Sequence, residues 1–427
     1  MRRKAVALID CNSFYVSCER VFNASLANQA VIVLSNNDGC IVSLSKEAKQ
    51  LGLKRGQPAF QSKSLINQHH IHVFSSNYSL YADMSARVMN ILSTFSPALE
   101  VYSIDEAFLD LSHLETSELS EIGHTIKARV WQDIGIPVSV GIASTKCLAK
   151  IAHELVKRHS HYRGVLDLSS CSEQELDDLL TQIPIEDVWG IGRKYALFFS
   201  NYGIQTAKDL KYAETKWVRR HATIVGERIV LELRGISCIP LETQRPPKQG
   251  IMCAKTFGKD VASLDELTEA VATYTARTAE KLRQQDSLAA SLTVFIRTNT
   301  FKPDIPQYAN SFTLQLPFPT AFTPDLVAHA LKGLKAMHRP GYLYKKAGVY
   351  LHRITPIDAL QPDLFGDYSI DDHNRQGRLM GIVDAINQVY GRDTLYFAVQ
   401  GMTRSWAMRQ HYLSHRFTTR WSEILSL

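Results

Sequence analysis

Three acidic residues next to apolar runs carry the clearest chemical signal in this chain. Asp10 ends one apolar run, and Asp105 and Glu106 stand between two others. Two adjacent carboxylates cannot both lie unpaired in a core, because isolated buried charges are too costly. Any one of them alone would be read as an ordinary turn acid. If the runs are neighbouring strands, however, three carboxylates converge at one end of a sheet. Such oxygen clusters hold Mg²⁺ against a phosphate-bearing substrate.

The periodicity around these acids predicts the elements that would bring them together. We expect strands at 5–10, 99–103, 107–111 and 137–143 and helices beginning at 13, 80, 117 and 146. When the inserted segment that reaches about residue 79 is set aside, the order is βαββαβ, a ferredoxin-like arrangement. That topology places the end of the first strand beside the turn of the central hairpin, and it therefore predicts that Asp10 meets Asp105 and Glu106.

The insertion is small. Residues 31–34 and 41–44 predict a hairpin around the Asn-Asn-Asp-Gly sequence at 36–39, followed by a short helix near 46–51. It contains no long helix that could close over a substrate.

Residues 184–212 carry a glycine pattern typical of a helix-hairpin-helix. Gly190 and Gly192 flank an isoleucine, and the basic pair Arg193-Lys194 opens the next predicted helix. A lone pair of glycines indicates only a turn. Here a predicted helix precedes it, so the hairpin and the free N–H groups of the following helix favour contact with a DNA phosphate.

A second βαββαβ pattern follows a Pro-rich, basic stretch near 243–250. We expect strands at 252–257, 288–299, 310–316 and 346–352 and helices at 263–284 and 323–337. No acidic cluster stands at the corresponding positions. Basic residues that include Lys255, Arg297 and Lys345 predict a sheet that binds nucleic acid rather than a second active site.

Size and composition exclude several classes of protein. With 427 residues the chain should form several domains, and its net charge of +6 is only weak support for nucleic-acid binding. The seven cysteines include no CxxC pair, which indicates reduced thiols and neither a disulfide framework nor a zinc site. We expect a cytoplasmic protein, nucleoid-associated when active, with no membrane span and no signal peptide.

The segments around the acids resemble the Y-family translesion DNA polymerases. The resemblance is carried by Asp10-Cys11-Asn12-Ser13-Phe14-Tyr15, by residues 77–85 and by the acidic pair, and it runs essentially from end to end. Within that family the chain is most similar to the UmuC branch, the catalytic subunits of bacterial DNA polymerase V and their relatives on mobile elements. The resemblance implies an α+β multidomain right hand, with the following boundaries: palm 1–10 and 80–168, fingers 11–79, helical thumb 169–240, linker 241–251, little finger 252–355 and a partner-binding C-terminal region 356–427.

The same resemblance implies the chemistry. Two Mg²⁺ ions would be held by Asp10, Asp105, Glu106 and the carbonyl of Cys11, for template-directed transfer of a deoxynucleotide to a primer 3′-hydroxyl. We expect error-prone synthesis past damaged bases, without proofreading, in the SOS response and DNA repair. Two rival readings are a nucleotide cyclase, which also uses paired acids on such a sheet, and a regulatory scaffold that keeps only the polymerase shape.

Nucleotide contacts are expected at Phe14, Tyr15, Lys49 and Lys157. By resemblance, the ring of Tyr15 lies beneath the incoming sugar and leaves no room for a 2′-hydroxyl. Both rings could instead be helix core, and both lysines could be solvated surface residues.

Partner contacts are expected beyond the second sheet. Gln361, Leu364 and Phe365 resemble the motif that bacterial polymerases insert into the sliding clamp, although such a short pattern also arises by chance. The aromatic and basic tail from Trp406 to Trp421 resembles the region that in the family engages UmuD′ and activated, ATP-bound RecA. It could equally contact single-stranded DNA.

Overall fold

The structure is a computed structural model that describes residues 4–360 and 370–425. The chain forms two compact units. The first comprises Met1–Ser35, Gly39–Arg245 and Tyr412–Leu427, and the second comprises Asn36–Asp38 and Pro246–His411. The division at Arg245 falls within the linker expected at 241–251.

The elements of the first unit include every strand and helix that the sequence predicts between residues 5 and 157, together with others that it does not predict. They are β1 (Val6–Cys11), α1 (Phe14–Phe22), β2 (Val31–Leu34), β3 (Ile41–Leu44), α2 (Lys46–Gln50), α3 (Lys63–Gln68), β4 (His72–Ser75), α4 (Tyr78–Leu92), β5 (Leu99–Val101), β6 (Glu106–Asp110), α5 (Leu119–Ile134), β7 (Val138–Ala143), α6 (Lys146–Arg158), β8 (Val165–Asp167), α7 (Glu173–Thr181), α8 (Arg193–Asn201), α9 (Ala207–Tyr212) and α10 (Thr215–Leu233).

The main sheet has the order β5-β6-β1-β7-β8, and β1 is antiparallel to both of its neighbours. This confirms the ferredoxin-like arrangement. The strand β8, parallel to β7, is an addition that the sequence did not predict. All six residues of β1 are buried, because the sheet is covered on both faces. Its residues Ala7 and Ile9 pack with α4 and α5, whereas Val6 and Leu8 pack with α6 and the helices that follow.

The insertion forms a separate three-stranded sheet of order β3-β2-β4. The predicted hairpin of β2 and β3 is present, and the last strand, β4, joins β2 in parallel. That third strand was missed because its sequence, His-Val-Phe-Ser, is too short to show a period.

The second unit contains β9 (Gly250–Val261), α11 (Leu264–Arg283), β10 (Ser287–Thr298), β11 (Ala309–Thr320), α12 (Thr323–Met337), β12 (Tyr344–Pro356) and α13 (Ile370–Val389). Its sheet has the order β11-β10-β12-β9, antiparallel throughout. The expected βαββαβ element order is therefore confirmed. The pairing is different from that in the first unit, because the first strand, β9, lies at an edge and not inside the sheet.

The C-terminal region is not one exposed module. Trp406 is 4% exposed and packs in the core of the second unit, edge-on to Phe257 and Tyr274. The expectation that Trp406 belongs to a partner interface is therefore wrong. Residues 412–425 belong to the first unit instead.

Among the described residues, the structure contains no helix with the length and hydropathy needed to cross a bilayer.

Candidate active site

The structure brings the three predicted carboxylates to one end of the first sheet. Asp10 lies opposite Glu106 in the β1–β6 register. One residue further, the N–H of Cys11 donates to the carbonyl of Asp105 at 2.8 Å. The pairing thus continues into the turn before β6, and this fixes the backbone of all three acids.

Ser103 organises that turn and was not recognised from the sequence. Its Oγ accepts from the N–H groups of Asp105 and Glu106 at 3.2 and 3.1 Å and donates to Asp105 Oδ1 at 2.6 Å. A serine hydroxyl commonly shapes a turn in this way. Here it also fixes the orientation of the Asp105 carboxylate, so Ser103 is a positioning residue.

Helix α6 supplies the positive charges that face these acids. Lys157 Nζ lies 3.1 Å from Asp10 Oδ1, and Lys150 Nζ forms an ion pair with Glu106 Oε2. Positions 150 and 157 are two turns apart, so both side chains extend from one face of the helix. Lys150 was missed, although its spacing of seven residues from Lys157 was a visible signal.

The local field holds Asp10 ionised. Burial by itself would raise the pKa of Asp10, but His153 and Lys157 together hold that pKa below its ordinary value. His153 Nε2 lies 3.4 Å from Asp10 Oδ1 without the alignment of a hydrogen bond. The Asp10 carboxylate is only 8% exposed, so these neighbouring groups replace much of the solvation it loses.

Aromatic rings surround the Lys150 ammonium. Its Nζ lies 4.4 Å from the centre of the Tyr102 ring and 5.9 Å from that of Trp189. Trp189 Nε1 in turn donates to Tyr102 Oη at 3.0 Å. These cation–π contacts stabilise the position of the charge beside Glu106.

The donor set suits a hard divalent cation. Carboxylate oxygens are the preferred ligands of Mg²⁺, and the fields of Asp10, Asp105 and Glu106 all reach the Cys11 thiol. Burial, and then these three charges, raise the pKa of that thiol well above its ordinary value. Because Mg²⁺ prefers oxygen ligands to sulfur, Cys11 is a candidate ligand through its carbonyl. In the described part of the chain, no three His, Cys, Asp or Glu side chains are arranged to hold an ion. Among the three acids, Asp10 forms an ion pair with Lys157 and Glu106 forms one with Lys150.

Tyr15 lies beside the acids on α1. Its ring stacks on Tyr81 with centroids 4.4 Å apart and planes 15° apart, and Tyr78 meets it edge-on at 6.2 Å. Burial, then Tyr78 and Asp105, raise the pKa of Tyr15, whereas the charge of Arg55 opposes the shift. Arg55 is thus a cation near the ring that the sequence did not single out.

The other expected nucleotide contacts differ in placement. Phe14 is 3% exposed and packs in the core of the first unit, so its side chain offers almost no surface to a nucleotide. Lys49 is exposed on α2. Lys157 lies against the carboxylate of Asp10.

The expected DNA contacts of the thumb lie on a tight hairpin. Gly190 has a φ of +89°, which favours glycine, and a Cβ there would stand 2.7 Å from Ile229 Cδ1. Gly192 is the N-cap of α8, and both Arg193 and Lys194 are exposed in its first turn.

The basic residues of the second unit do not share one face. Arg297 lies opposite Lys346, on the side of the sheet away from the helices. Lys255 instead lies opposite the buried Ala347, on the helix side, so grouping it with Arg297 was wrong. Lys345 lies 3.4 Å from Asp260, which neutralises part of its charge.

The expected clamp residues Gln361, Leu364 and Phe365 lie outside the described residues.

Comparisons with known proteins agree with this geometry. Residues 9–154 match the impB/mucB/samB family, residues 248–364 match the C-terminal domain of that family, and residues 377–427 match a domain of unknown function. The chain is 43% identical to Protein UmuC of Salmonella typhimurium, over 98% of this chain and 99% of that protein. It is 28% identical to DNA polymerase IV of Desulfatibacillum aliphaticivorans, over 92% and 96% of the two chains.

The chain belongs to the UmuC family of Y-family DNA polymerases. A Y-family DNA polymerase chimera of known structure has the same fold, with a TM-score of 0.65 and 20% identity over 82% of this chain and 99% of that one. This UmuC-family chain is a DNA-directed DNA polymerase of the translesion class, and the cyclase and scaffold readings are not favoured.

Proposed function

We propose that this polymerase extends a primer past damaged template bases with two Mg²⁺ ions held by Asp10, Asp105, Glu106 and the carbonyl of Cys11. The observation that carries the proposal is the β1–β6 register, which sets Asp10 opposite Glu106. It continues into a backbone hydrogen bond from Cys11 to Asp105. When bound, the ions would supply charge stabilisation of the phosphates and a lower pKa for the primer hydroxyl.

The side chains of α6 balance charge at the site. Lys157 is 44% exposed and lies against Asp10, so it can turn to the triphosphate of an incoming nucleotide. Lys150 is only 18% exposed and is held by the rings around it. It therefore remains beside Glu106 and limits the repulsion between the carboxylates. Lys49 is the further candidate for contact with the triphosphate, as a point charge.

Tyr15 is the proposed sugar gate. Its ring packs flat against Tyr81, and the field of Asp105 reaches it, which supports a position beneath the sugar of a nucleotide bound at the acids. A stacked ring cannot tilt away easily, so a 2′-hydroxyl would clash with it.

DNA would be held along its backbone. The exposed Arg193 and Lys194 at the start of α8 and the row containing Arg297 on the open face of the second sheet are the proposed phosphate contacts. Contacts of this kind carry no sequence information, which suits a polymerase that must act on any template.

Accessory partners are also part of the proposal. We infer sliding-clamp binding at Gln361, Leu364 and Phe365, and binding of a UmuD′-like subunit and ATP-bound RecA to the exposed remainder of the tail, where Trp421 is 90% exposed. Synthesis without proofreading is part of the same hypothesis.

Primer extension on a gapped template with an abasic site tests the catalytic assignment, with and without a RecA filament and a UmuD′-like subunit. Asp105→Asn should lower the rate on the order of 100-fold or more, because it removes a charge that acts on the reacting phosphate. Asp110→Asn is the matched control, since Asp110 lies at the far end of β6, opposite Val6 and away from the acids. Extension by Asp105→Asn at the wild-type rate would refute the assignment.

The sugar gate has its own test. Tyr15→Ala should extend the primer with ribonucleotides, whereas Tyr15→Phe, which keeps the ring, should continue to reject them. If Tyr15→Ala still rejects ribonucleotides, the ring does not act as the gate.

A further inference from the structure

The C-terminal segment Tyr412–Phe417 is built into the first unit. The N–H of Ser75, the last residue of β4, donates to the carbonyl of Tyr412 at 2.9 Å, and Ser75 Oγ accepts from the N–H of Tyr412 at 3.0 Å. The segment lies within the stretch that matches a domain of unknown function. Its contacts therefore indicate what these residues do within the first unit.

Asn77 holds the segment to the start of α4. Its Nδ2 donates to the carbonyls of Ser414 and His415 at 3.2 and 3.1 Å and to Ser414 Oγ at 3.0 Å. Its Oδ1 accepts from the N–H of Leu80, so the same residue is the N-cap of α4. One side chain thus couples the segment to the helix that carries Tyr81.

Glu19 joins the segment to Tyr81 directly. Ser414 Oγ donates to Glu19 Oε1 at 2.9 Å, and Tyr81 Oη donates to the same oxygen at 2.7 Å. Glu19 is 2% exposed, and Tyr81 is fully buried. A buried carboxylate needs such donors because it has lost its water. Removal of either hydrogen bond to Glu19 should therefore be unfavourable.

The network ends at the ring of Tyr15. Tyr81, fixed at its hydroxyl by Glu19, lies flat against Tyr15. A second contact reaches the other end of the Tyr15 helix, where Phe417 stacks on Phe22 with centroids 4.6 Å apart and planes 10° apart. The segment therefore contacts both α1 and α4, the two helices that supply the stacked pair.

We propose that the segment Tyr412–Phe417 positions the Tyr15 ring for sugar discrimination, with Ser414 acting through Glu19 and Tyr81. This inference rests on the proposed function of Tyr15 as the gate. Loss of the Ser414 hydroxyl leaves Glu19 Oε1 with one donor fewer, which frees Tyr81 to shift and Tyr15 to tilt with it. The cleft then admits a 2′-hydroxyl more readily.

The test measures kcat/KM for a deoxynucleotide and for the matching ribonucleotide with the full-length chain and its partners. Ser414→Ala should lower the ratio of the two values about fivefold, the effect of one lost hydrogen bond. Ser414→Thr keeps the hydroxyl and should restore the ratio. Ser422→Ala is the matched control, because Ser422 is exposed in the same tail.

Tyr81→Phe supplies a second, independent variant. It keeps the ring that stacks on Tyr15 and removes only the bond to Glu19, so it should lower the ratio as Ser414→Ala does. The double variant should be less than additive, because both changes act on one acceptor. A change that only weakened the fold would lower both kcat/KM values alike.

The possible outcomes separate the two hypotheses. If Tyr15→Ala relaxes discrimination while Ser414→Ala and Tyr81→Phe retain the wild-type ratio, the positioning role is overturned and the gate stands. If Tyr15→Ala itself retains the wild-type ratio, the gate is wrong, and the inference that rests on it is overturned too.

Discussion

Replacing Glu19 by glutamine should change how the stability of the first unit depends on pH. Burial raises the pKa of Glu19 from 4.5 to about 6, even though the hydroxyls of Tyr81 and Ser414 act to lower it. The folded state therefore prefers the neutral acid more strongly than the unfolded state does. The contribution of Glu19 is fully present below pH 4.5 and is lost as the pH rises through about 6.

The magnitude follows from the size of that shift. Because the pKa of Glu19 rises from 4.5 in the unfolded chain to about 6 in the fold, ionised Glu19 lowers the unfolding free energy by about 2 kcal/mol at pH values above both. A glutamine side chain at this position would have nearly the same shape and no charge to desolvate. The stability of Glu19→Gln relative to wild type should therefore increase by about 2 kcal/mol between about pH 4.5 and about pH 7.

Urea unfolding followed by circular dichroism at a series of pH values measures this difference. Glu121→Gln, on the exposed side of α5, controls for the loss of one charge in general. Equal pH dependence of the unfolding free energy in Glu19→Gln and wild type would refute the reasoning, because it would mean that Glu19 is not desolvated in the fold.

Three further outcomes are expected. Lys150→Met should bind Mn²⁺ about tenfold more tightly in calorimetry, because the ion no longer competes with the Lys150 ammonium for the carboxylate of Glu106. Unchanged or weaker binding would contradict this. Trp406→Ala should lower the unfolding free energy of the second unit by about 3–5 kcal/mol. Trp421→Ala, at a side chain of the first unit that is 90% exposed, should leave the unfolding free energy of that unit unchanged. Gly190→Ala should lower the unfolding free energy by about 1–2 kcal/mol, because Gly190 has a positive φ, and it should weaken duplex binding. Gly192→Ala, in open space at a φ of −79°, loses only the better N-cap of α8, so it should lower the unfolding free energy less.

The sequence was informative where a local pattern and the topology agree. The apolar strand before Asp10 and the two runs around Asp105 and Glu106 are periodic, and the βαββαβ order leaves few ways to pair them. The register of β1 and β6 follows from these constraints.

The sequence was uninformative where a role depends on distant contacts. Trp406 looks like an interface residue in a basic, aromatic tail, and only the packing against Phe257 and Tyr274 shows that it is core. Lys255 looks like one more basic residue of a strand, and only the register opposite Ala347 places it on the helix side. In both cases the deciding information lies in tertiary pairing that no local period encodes.

The position of the tail changes what a truncation would mean. A chain cut before Tyr412 loses the proposed partner surface around Trp421, but it also loses the hydrogen bond from Ser414 to Glu19 and the Phe417 ring against Phe22. A defect in such a chain therefore combines loss of a partner with a disturbed Tyr15 helix. Point changes separate the two causes, since Trp421→Ala touches only the exposed ring and Ser414→Ala only the buried network. A partner-binding role for the tail requires that Trp421→Ala alone reproduce the defect.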